Sequence, residues 1–488
     1  MCLRLSLFTL LAAWSFGSAH ALDVTLAAPG TLAGAVDDAA AVTSLAVSGS
    51  IDASDFHFIA TGMPALTALD LSRATVEPYS GDAIGGLRSY PAAMLPPMLL
   101  AGTGLESIDL PPGLKAIGEG ALAGTRLHEI DVHAGVTSIG EGAFAGCTEL
   151  TEATVASASL GSGAFAGCTS LRRVAVAPGS LIPARCFAGD SLLETVEGFE
   201  TAVAVGGGAF ANCASLHALP FGRELRSIGE YAFSGSALRE ADMSGCTALA
   251  EVGIGAFSGC PSLERLELPE GCEPAMALAM NTPALKTAVL LCGDVPPFAF
   301  TGDSLVDISA AVACATVIGD FAFKGVTRAG AVVLPASLEY IGTGAMEGAT
   351  GLTSIDASLL EAVPELGQRV WAGVNQPSVV LYATQEVADA FAATPQWSDF
   401  NLQLKAYDKV ADTIGSGPAS LRAAFSGAML LVDCGSAAVS VTVTDISGRI
   451  LAILHPDSDG HAMLDTSRWS TDIYLLGAST GQSLKIAR

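Results

Sequence analysis

Apolar residues return along the chain at an interval of about 22 residues. The clearest repeated position is the aromatic residue of a GAFAG motif, and an aliphatic residue, usually followed by glycine, stands five positions before it. This position is filled by Phe144, Phe165, Phe187, Phe210, Phe233, Phe257, Phe300 and Phe323, and by Leu100, Leu122, Ala279 and Met346 in weaker copies. The register persists over eleven intervals, which predicts one structural unit repeated in tandem.

The pattern within a repeat predicts a short strand, a turn and a compact return arm. Five or six residues after the aromatic position, L-x-x-I-x-L begins, as at Leu105, Ile108 and Leu110. Its alternation is typical of a strand with one buried face, and its period is that of a leucine-rich repeat. One unit cannot bury its own apolar face, whereas stacked units can. We therefore predict a mainly β fold with short helical or irregular arms: a leucine-rich repeat solenoid over residues 58–376, with a parallel sheet on one curved face.

The pattern changes after the repeats. Residues 409–418 are rich in Gly, Ser and Pro and predict a linker. Six short alternating segments follow within 419–488, separated by polar turns, and they predict a small antiparallel β-sandwich. The predicted strands are 429–433, 439–445, 450–454, 462–465, 473–478 and 483–486.

The N-terminus and the charge restrict the functional classes. Residues 1–21 combine Arg4, an apolar stretch and a small-x-small ending at Ala21, which predicts a cleaved signal peptide. We expect no transmembrane segment in the mature chain, because no later apolar run is long enough. The formal net charge of −26 argues against nucleic acid and against an anionic membrane surface as partners.

Acidic residues recur at the outward position between the last two apolar residues of the predicted strands. They are Asp70, Asp109, Asp131, Asp242, Glu267 and Asp356. On the curved solenoid they would line the concave strand surface as an acidic stripe that attracts a basic partner. The alternative interpretation is the ordinary solubility of an acidic secreted protein.

The remaining chemistry offers no reaction centre. Cys147, Cys168, Cys213 and Cys260 each stand three residues after the aromatic position, which predicts a buried ladder of free, slowly reacting thiols. The recurring G-x-G pairs predict turns instead of phosphate loops, because they lack the βαβ setting. His128 and His133, with Glu129 and Asp131, allow either a metal site or a solvated polar strand face. We predict no catalysis, no metal and no cofactor.

Two stretches, "SIGEGAFAGCTEL" (138–150) and "SIGEYAFSGSAL" (227–238), resemble the BspA-like leucine-rich repeats of bacterial surface proteins. Residues 41–72 are similar to the opening cap of such proteins in Bacteroidetes, and 378–400 to their closing cap. The resemblance implies an N-terminal cap at 22–57, a C-terminal cap at 377–408, and a secreted or surface-exposed adhesion protein. We predict that the solenoid is presented to a protein or glycan partner, and the implied partners are a host extracellular-matrix or cell-surface protein, or other bacteria.

The last 70 residues resemble the C-terminal sorting domain of the type IX secretion system. The motif residues are Asp445, Gly448, Arg449, Tyr474 and Lys485. The resemblance implies recognition by the type IX machinery and a final location outside the cell or on the outer membrane. A carbohydrate-binding sandwich is the alternative for this module. For the whole chain, a secreted hydrolase and a structural surface-layer component are the alternatives to a binding protein.

Overall fold

The computed structural model describes residues 20–405, apart from 83, 85, 87, 156–158 and 292, and seven strands with their nearest neighbours between 422 and 487. Most of the predicted signal peptide and the predicted linker therefore lie outside the described residues. The chain divides into two compact units, one ending at Ala237 and the other beginning at Leu238.

The first unit is built mainly from parallel strands. Its strands are β1 His20–Leu26, β2 Val42–Ile51, β3 Ala68–Val76, β4 Tyr79–Gly81, β5 Arg88–Tyr90, β6 Met94–Leu95, β7 Ser107–Asp109, β8 Ala116–Ile117, β9 Glu129–Val132, β10 Ser138–Ile139, β11 Glu152–Val155, β12 Arg173–Ala175, β13 Leu181–Ile182, β14 Thr195–Glu197, β15 Ala204–Val205 and β16 Ser227–Ile228. Its helices are α1 Leu32–Ala35 and α2 Ala53–Gly62, with 3-10 turns at Ala39–Ala41 and Phe199–Thr201. Only the β4–β5 hairpin is antiparallel among the strand pairs described in this unit.

The second unit continues the same plan and then changes to antiparallel pairing. Its strands are β17 Glu240–Asp242, β18 Glu251–Val252, β19 Arg265–Leu268, β20 Glu273–Pro274, β21 Thr287–Leu290, β22 Val317–Ile318, β23 Gly330–Val333, β24 Tyr340–Ile341, β25 Leu352–Asp356, β26 Glu365–Leu366, β27 Val380–Ala383, β28 Asn401–Leu404, β29 Arg422–Ser426, β30 Met429–Asp433, β31 Val441–Asp445, β32 Ile450–Leu454, β33 His461–Asp465, β34 Ile473–Ala478 and β35 Ser483–Ala487. Its helices are α3 Ile308–Ala311 and α4 Gln385–Ala393, with a 3-10 turn at Gln376–Ser378.

Each repeat supplies a longer strand and a two-residue strand, and each kind pairs with its own kind. In the first unit the longer strands form the sheets β1-β2-β3-β7 and β9-β11-β12-β14, while β6-β8-β10 and β13-β15-β16 join the short ones. The longer strands alternate as predicted: in β9, Ile130 and Val132 are buried and Glu129 and Asp131 are exposed. The predicted fold class, a mainly β leucine-rich repeat solenoid, is confirmed.

The repeated aromatic position forms the core of the repeats. Phe144, Phe165, Phe187, Phe210 and Phe233 are all fully buried. Neighbouring rings stack with centroids 5.0 to 5.7 Å apart, so each ring covers the next. The weak copies Ala279 and Met346 are buried at the same position, and Trp371 extends it by one repeat that the sequence pattern did not show.

The predicted cysteine ladder is also buried. Cys147, Cys168, Cys213 and Cys260 have no exposed surface, and all four are free thiols. In three of them the thiol donates to a backbone carbonyl of the preceding repeat: to Leu122 O at 3.2 Å, Phe144 O at 3.2 Å and Phe187 O at 3.1 Å. These residues therefore serve as small core groups whose thiols form weak hydrogen bonds, and Cys147 also contacts the Thr125 hydroxyl at 3.2 Å.

The glycines of the G-x-G pairs are structural, for two different reasons. A Cβ on Gly140 would lie 2.5 Å from the backbone nitrogen of Glu119 in the preceding repeat, so only glycine fits there. The second residue of the pair, two before the aromatic position, has a left-handed backbone in every repeat; we call it the left-handed position. Glycine fills it at 120, 142, 163, 208, 255 and 344, and Met98, Arg185, Tyr231, Ala277, Phe298, Phe321 and Arg369 fill it elsewhere with φ of 52° to 60°.

The C-terminal strands form two antiparallel sheets, β29-β30-β33 and β32-β31-β34-β35. All six predicted strands are present with shifts of at most two residues at an end. The sequence pattern missed β29, whose Arg-Ala-Ala-Phe-Ser sequence lacks a clear alternation of apolar and polar residues.

Candidate functional site

The outward side chains of the longer strands form the surface on which the sequence places its acidic stripe. We call this surface the outward strand face. Asp109, Asp131 and Asp242 are exposed there, and Asp70 is half-buried. Because strand side chains alternate, residues that are register partners on neighbouring strands lie side by side on this face.

Asp70 and Asp109 are direct register partners on β3 and β7. The Ser72 backbone N–H donates to Asp70 Oδ1 at 2.8 Å, and hydrogen bonding from Ser72 holds the pKa of Asp70 below its ordinary value. Burial, and then the nearby charge of Asp70, raise the pKa of Asp109. The strand pairing thus places two carboxylates together without a cation between them in the register.

A second acidic group lies on β9 to β14. Glu129 is the direct partner of Glu152, and Glu152 of Arg173. Arg173 lies 3.9 Å from Glu152 and 3.6 Å from Glu197, so one guanidinium serves two carboxylates. The predicted stripe does not include Glu152 and Glu197, because it takes only one position per strand. The signal was available, since both residues stand at outward positions of their strands.

The stripe is not continuous. Asp131 has Thr154 as its partner, and the next register position is Ala175. Beside this row, Arg126 is 2.7 Å from Glu149 and 3.3 Å from Glu106, and both ion pairs are exposed. Carboxylates on this face are therefore grouped and partly neutralised, instead of running unbroken from repeat to repeat.

Two of the six predicted stripe residues need correction. Glu267 is buried, and it forms an ion pair with Arg265 two residues earlier on the same strand. Asp356 is half-buried, accepts hydrogen bonds from the Ser358 hydroxyl at 2.6 Å and backbone N–H at 3.1 Å, and pairs with Lys405. Both carboxylates are thus already engaged within the chain.

The histidines behave as polar strand-face residues. The Gly135 backbone N–H donates to His133 Nδ1 at 3.1 Å, so the ring proton is on Nε2 and is directed to Pro111 O at 2.9 Å. His128 lies 3.4 Å from Glu149. Within the described part of the chain, no three His, Cys, Asp or Glu residues come together as metal ligands would.

Three of the five residues of the predicted sorting motif lie in the antiparallel sheets. Asp445 ends β31 and is the register partner of Tyr474 on β34. Lys485, on β35, is the partner of Leu475. Gly448 and Arg449 lie outside the described residues.

Comparison with known families identifies the repeats. A family model described as "BspA type Leucine rich repeat region (6 copies)" matches residues 99–181, 180–290 and 293–403, which is more than half of the chain. The chain belongs to this family. Among curated proteins, no sequence matches it.

One solved structure shows the same fold as this BspA-type protein, and a second is a more distant match. A leucine-rich repeat protein from Bacteroides ovatus is 22% identical with a TM-score of 0.53, and the match covers 78% of this chain and 87% of that one. A leucine rich cell surface protein from Faecalibacterium prausnitzii is 17% identical with a TM-score of 0.33, over 60% of this chain and 86% of that one. No helix among the described residues is long and apolar enough to cross a membrane.

Proposed function

We propose that this BspA-type protein is an exported binding and adhesion protein whose outward strand face receives a basic protein partner, and that it has no catalytic activity of its own. The observation that carries the proposal is the direct pairing of Asp70 with Asp109 and of Glu129 with Glu152. Like charges opposite each other on neighbouring strands destabilise a sheet. Lysine or arginine side chains of a partner would relieve that repulsion.

The charge of the whole chain supports the same kind of partner. With 49 acidic and 23 basic residues, the protein attracts cationic surfaces over a long range and repels anionic ones. Charge complementarity of this kind raises the rate of encounter and selects the partner more than it adds affinity. A host extracellular-matrix or cell-surface protein, or a protein of another bacterium, is the proposed target.

For location, we propose export to the outer surface or the medium, with residues 419–488 acting as a type IX sorting domain. The resemblance of these residues to such domains supports the proposal, and so does their antiparallel pairing, which sets them apart from the parallel repeats. The module follows the repeats, so it can be recognised while they remain folded.

The binding proposal is tested with Asp70→Asn combined with Asp109→Asn. We expect the double variant, immobilised as residues 22–488, to retain proteins of a basic matrix fraction about 3- to 30-fold more weakly, since exposed ion pairs contribute roughly 0.3–1 kcal/mol each. Raising NaCl from about 50 to 300 mM should weaken the binding of these basic proteins to the unmodified protein. The difference in binding between the unmodified protein and the double variant should therefore become smaller.

The control is Asp389→Asn with Asp399→Asn, which removes the same charge at two exposed positions after the repeats. We expect this control to bind almost as the unmodified protein does. If retention of the basic proteins does not depend on the NaCl concentration and is the same in the Asp70/Asp109 double variant, the outward strand face is not the binding surface.

A further inference from the structure

The left-handed position carries an aromatic residue in two successive repeats of the second unit, Phe298 and Phe321. The turn itself does not need them, because glycine makes the same turn at Gly255 and Gly344 with nearly the same φ. A left-handed backbone is unfavourable for any bulky residue. The fold therefore holds two large side chains at positions where glycine would cause less backbone strain. This indicates that the two side chains have a role other than stabilising the fold.

The two rings form a partly exposed apolar surface, since Phe298 is exposed and Phe321 is half-buried. Their centroids are 5.3 Å apart and their planes differ by 21°. The Phe321 ring extends over Gly344, where an added Cβ would come within 2.5 Å of it. On the other side, the preceding repeat offers only the methyl group of Ala277, next to Met276, which is 46% exposed. We call Met276, Phe298 and Phe321 the aromatic shelf.

The Ala277 end is where the shelf is incomplete. The Ala277 backbone N–H donates to Pro297 O at 2.8 Å, which places Met276 and Ala277 directly beside Pro297 and Phe298. A methyl group at Ala277 cannot continue the stack of rings. An incoming aromatic or aliphatic side chain would therefore find Phe298, which is 37% exposed, and the Met276 side chain as its contacts.

The polar groups around the shelf are already bonded within the chain. Lys324 lies 5.1 Å from the Phe321 ring centroid and 3.1 Å from Glu347. Asp320 Oδ1 accepts from the Thr343 backbone N–H at 2.7 Å, and the Thr301 hydroxyl donates to Phe321 O at 2.7 Å. A sugar would need hydrogen-bonding groups beside the rings, so these contacts favour an apolar side chain of a protein over a glycan.

Charge selects the kind of protein. On the short strands that precede the shelf, Glu251 and Glu273 are direct register partners and both are exposed, and Asp320 is exposed beside the Phe321 ring. A second copy of this chain, with the same charge of −26, would be repelled. A segment with lysine or arginine around an apolar residue would satisfy both the acidic surroundings and the rings.

We infer that the aromatic shelf is a second binding surface, which takes an aromatic or aliphatic side chain of a basic peptide segment in a partner protein. The inference shares with the proposed function the idea that the chain binds a basic protein. It uses a different surface and different residues, so either can fail while the other holds.

The test compares the full exported chain with Phe298→Gly, Phe321→Gly and the double variant. The probe is a fluorescein-labelled heptapeptide with one tryptophan between two pairs of lysines, followed by fluorescence anisotropy. We expect the double variant to bind this peptide at least fivefold more weakly than the unmodified protein does. A peptide with alanine in place of tryptophan should bind the unmodified protein more weakly by a similar factor. A peptide with glutamate in place of lysine should not bind.

Glycine is the informative replacement because the fold already uses it at this position. We expect the double variant to keep its thermal unfolding midpoint within about 3 °C, since relief of backbone strain offsets the lost ring contact. Tyr231→Gly is the matched control: it removes an aromatic residue, 50% exposed, from the same position in the first unit. It should leave peptide binding unchanged.

Several results would overturn the inference. Equal binding of the tryptophan and alanine peptides would show that the rings are not used, and equal loss in Tyr231→Gly would show that the shelf is not special. Concentration-dependent dimers that disappear in the double variant would assign the shelf to self-association. Binding of a neutral oligosaccharide that disappears in the same variant, without peptide binding, would assign it to a glycan. Peptide binding that is weakened by Asp70→Asn with Asp109→Asn, but not by the phenylalanine replacements, would assign the binding to the outward strand face instead of the shelf.

Discussion

Asp190 and Asp303 are the residues with the most unusual surroundings. They occupy the ladder position that cysteine fills in other repeats, and both are fully buried. In each, Oδ1 accepts a backbone N–H, from Cys168 at 2.8 Å and from Thr282, while Oδ2 has no hydrogen-bond partner. Burial raises the pKa of both carboxyls to about 8. Both are therefore mainly protonated at neutral pH, so the core does not hold two unpaired charges.

This protonation predicts that stability falls as the pH rises. Between the ordinary carboxyl pKa and about 8, the folded state keeps a proton at each site that the unfolded chain has released. Each group should therefore lower the free energy of unfolding by up to about 1.4 kcal/mol per pH unit in this window, with no further loss above it. Urea unfolding at several pH values measures the slope.

The matched variant is Asp190→Thr, because Thr125 fills the same position and its hydroxyl donates to Leu122 O at 2.8 Å. We expect it to reduce the slope and to raise the stability most at pH 8. Asp389→Asn, at an exposed site, should leave the slope nearly unchanged. An identical slope in Asp190→Thr would mean that Asp190 is ionised in the folded protein.

At the scale of elements, one carboxylate joins the start of the chain to α2. Asp55 is 1% exposed and accepts the backbone N–H of Gly30 at 2.7 Å, of Leu32 at 2.9 Å and of Asp52 at 3.0 Å. The N-cap of α2 is completed by Asp52, whose side chain accepts from the Ser54 N–H. The β1–α1 connection is thus fixed to the helix by hydrogen bonds to one side chain.

Replacing this carboxylate should destabilise the N-terminal end. Asp55→Ala removes the acceptor of three backbone N–H groups, of which that of Leu32 is buried, and we expect the free energy of unfolding to fall by about 2–4 kcal/mol. Hydrogen exchange at the Gly30 and Leu32 amides should accelerate in the same variant. Asp37→Ala, at an exposed position nearby, should change stability by less than about 0.5 kcal/mol. A loss in Asp55→Ala no larger than in this control would contradict the assigned role.

The elements that the sequence predicts well are those whose signal repeats. The aromatic position, the buried ladder and the outward alternation of β9 all follow from residues that recur every repeat, so one weak copy such as Ala279 is placed by its neighbours. The β4–β5 hairpin occurs once and has no period to reveal it. The ion pair of Glu267 with Arg265 was also not predictable, because it depends on the conformations of two side chains and not on the register.

At the scale of the whole molecule, the sorting role of residues 419–488 makes a clear prediction. Deleting them should leave folded, soluble protein in the periplasm, because the signal peptide still acts and the repeats keep their own core. Fractionation with immunoblotting, with circular dichroism of the purified product, measures this.

The control for the deletion is the full chain with Asp389→Asn, expressed at the same level. It should reach the surface or the medium as the unmodified chain does. If the truncated protein also arrives there at the full-length level, the sorting role is wrong, and the alternative of a carbohydrate-binding module gains support.

The backbone hydrogen bonds between repeats have a consequence for folding kinetics. The Gly118 N–H donates to Leu95 O and the Gly140 N–H to Ile117 O, so these bonds join residues only one repeat apart. Bonds of this kind span roughly 5% of the 488-residue sequence, which is below the mean contact separation of about 7–12% in fast-folding helical proteins and far below that of β-sandwiches. Each repeat closes a loop of nearly the same length as the repeat before it, so the entropic cost of loop closure is nearly the same for every repeat. Adding repeats therefore lengthens the array without adding a slower folding step.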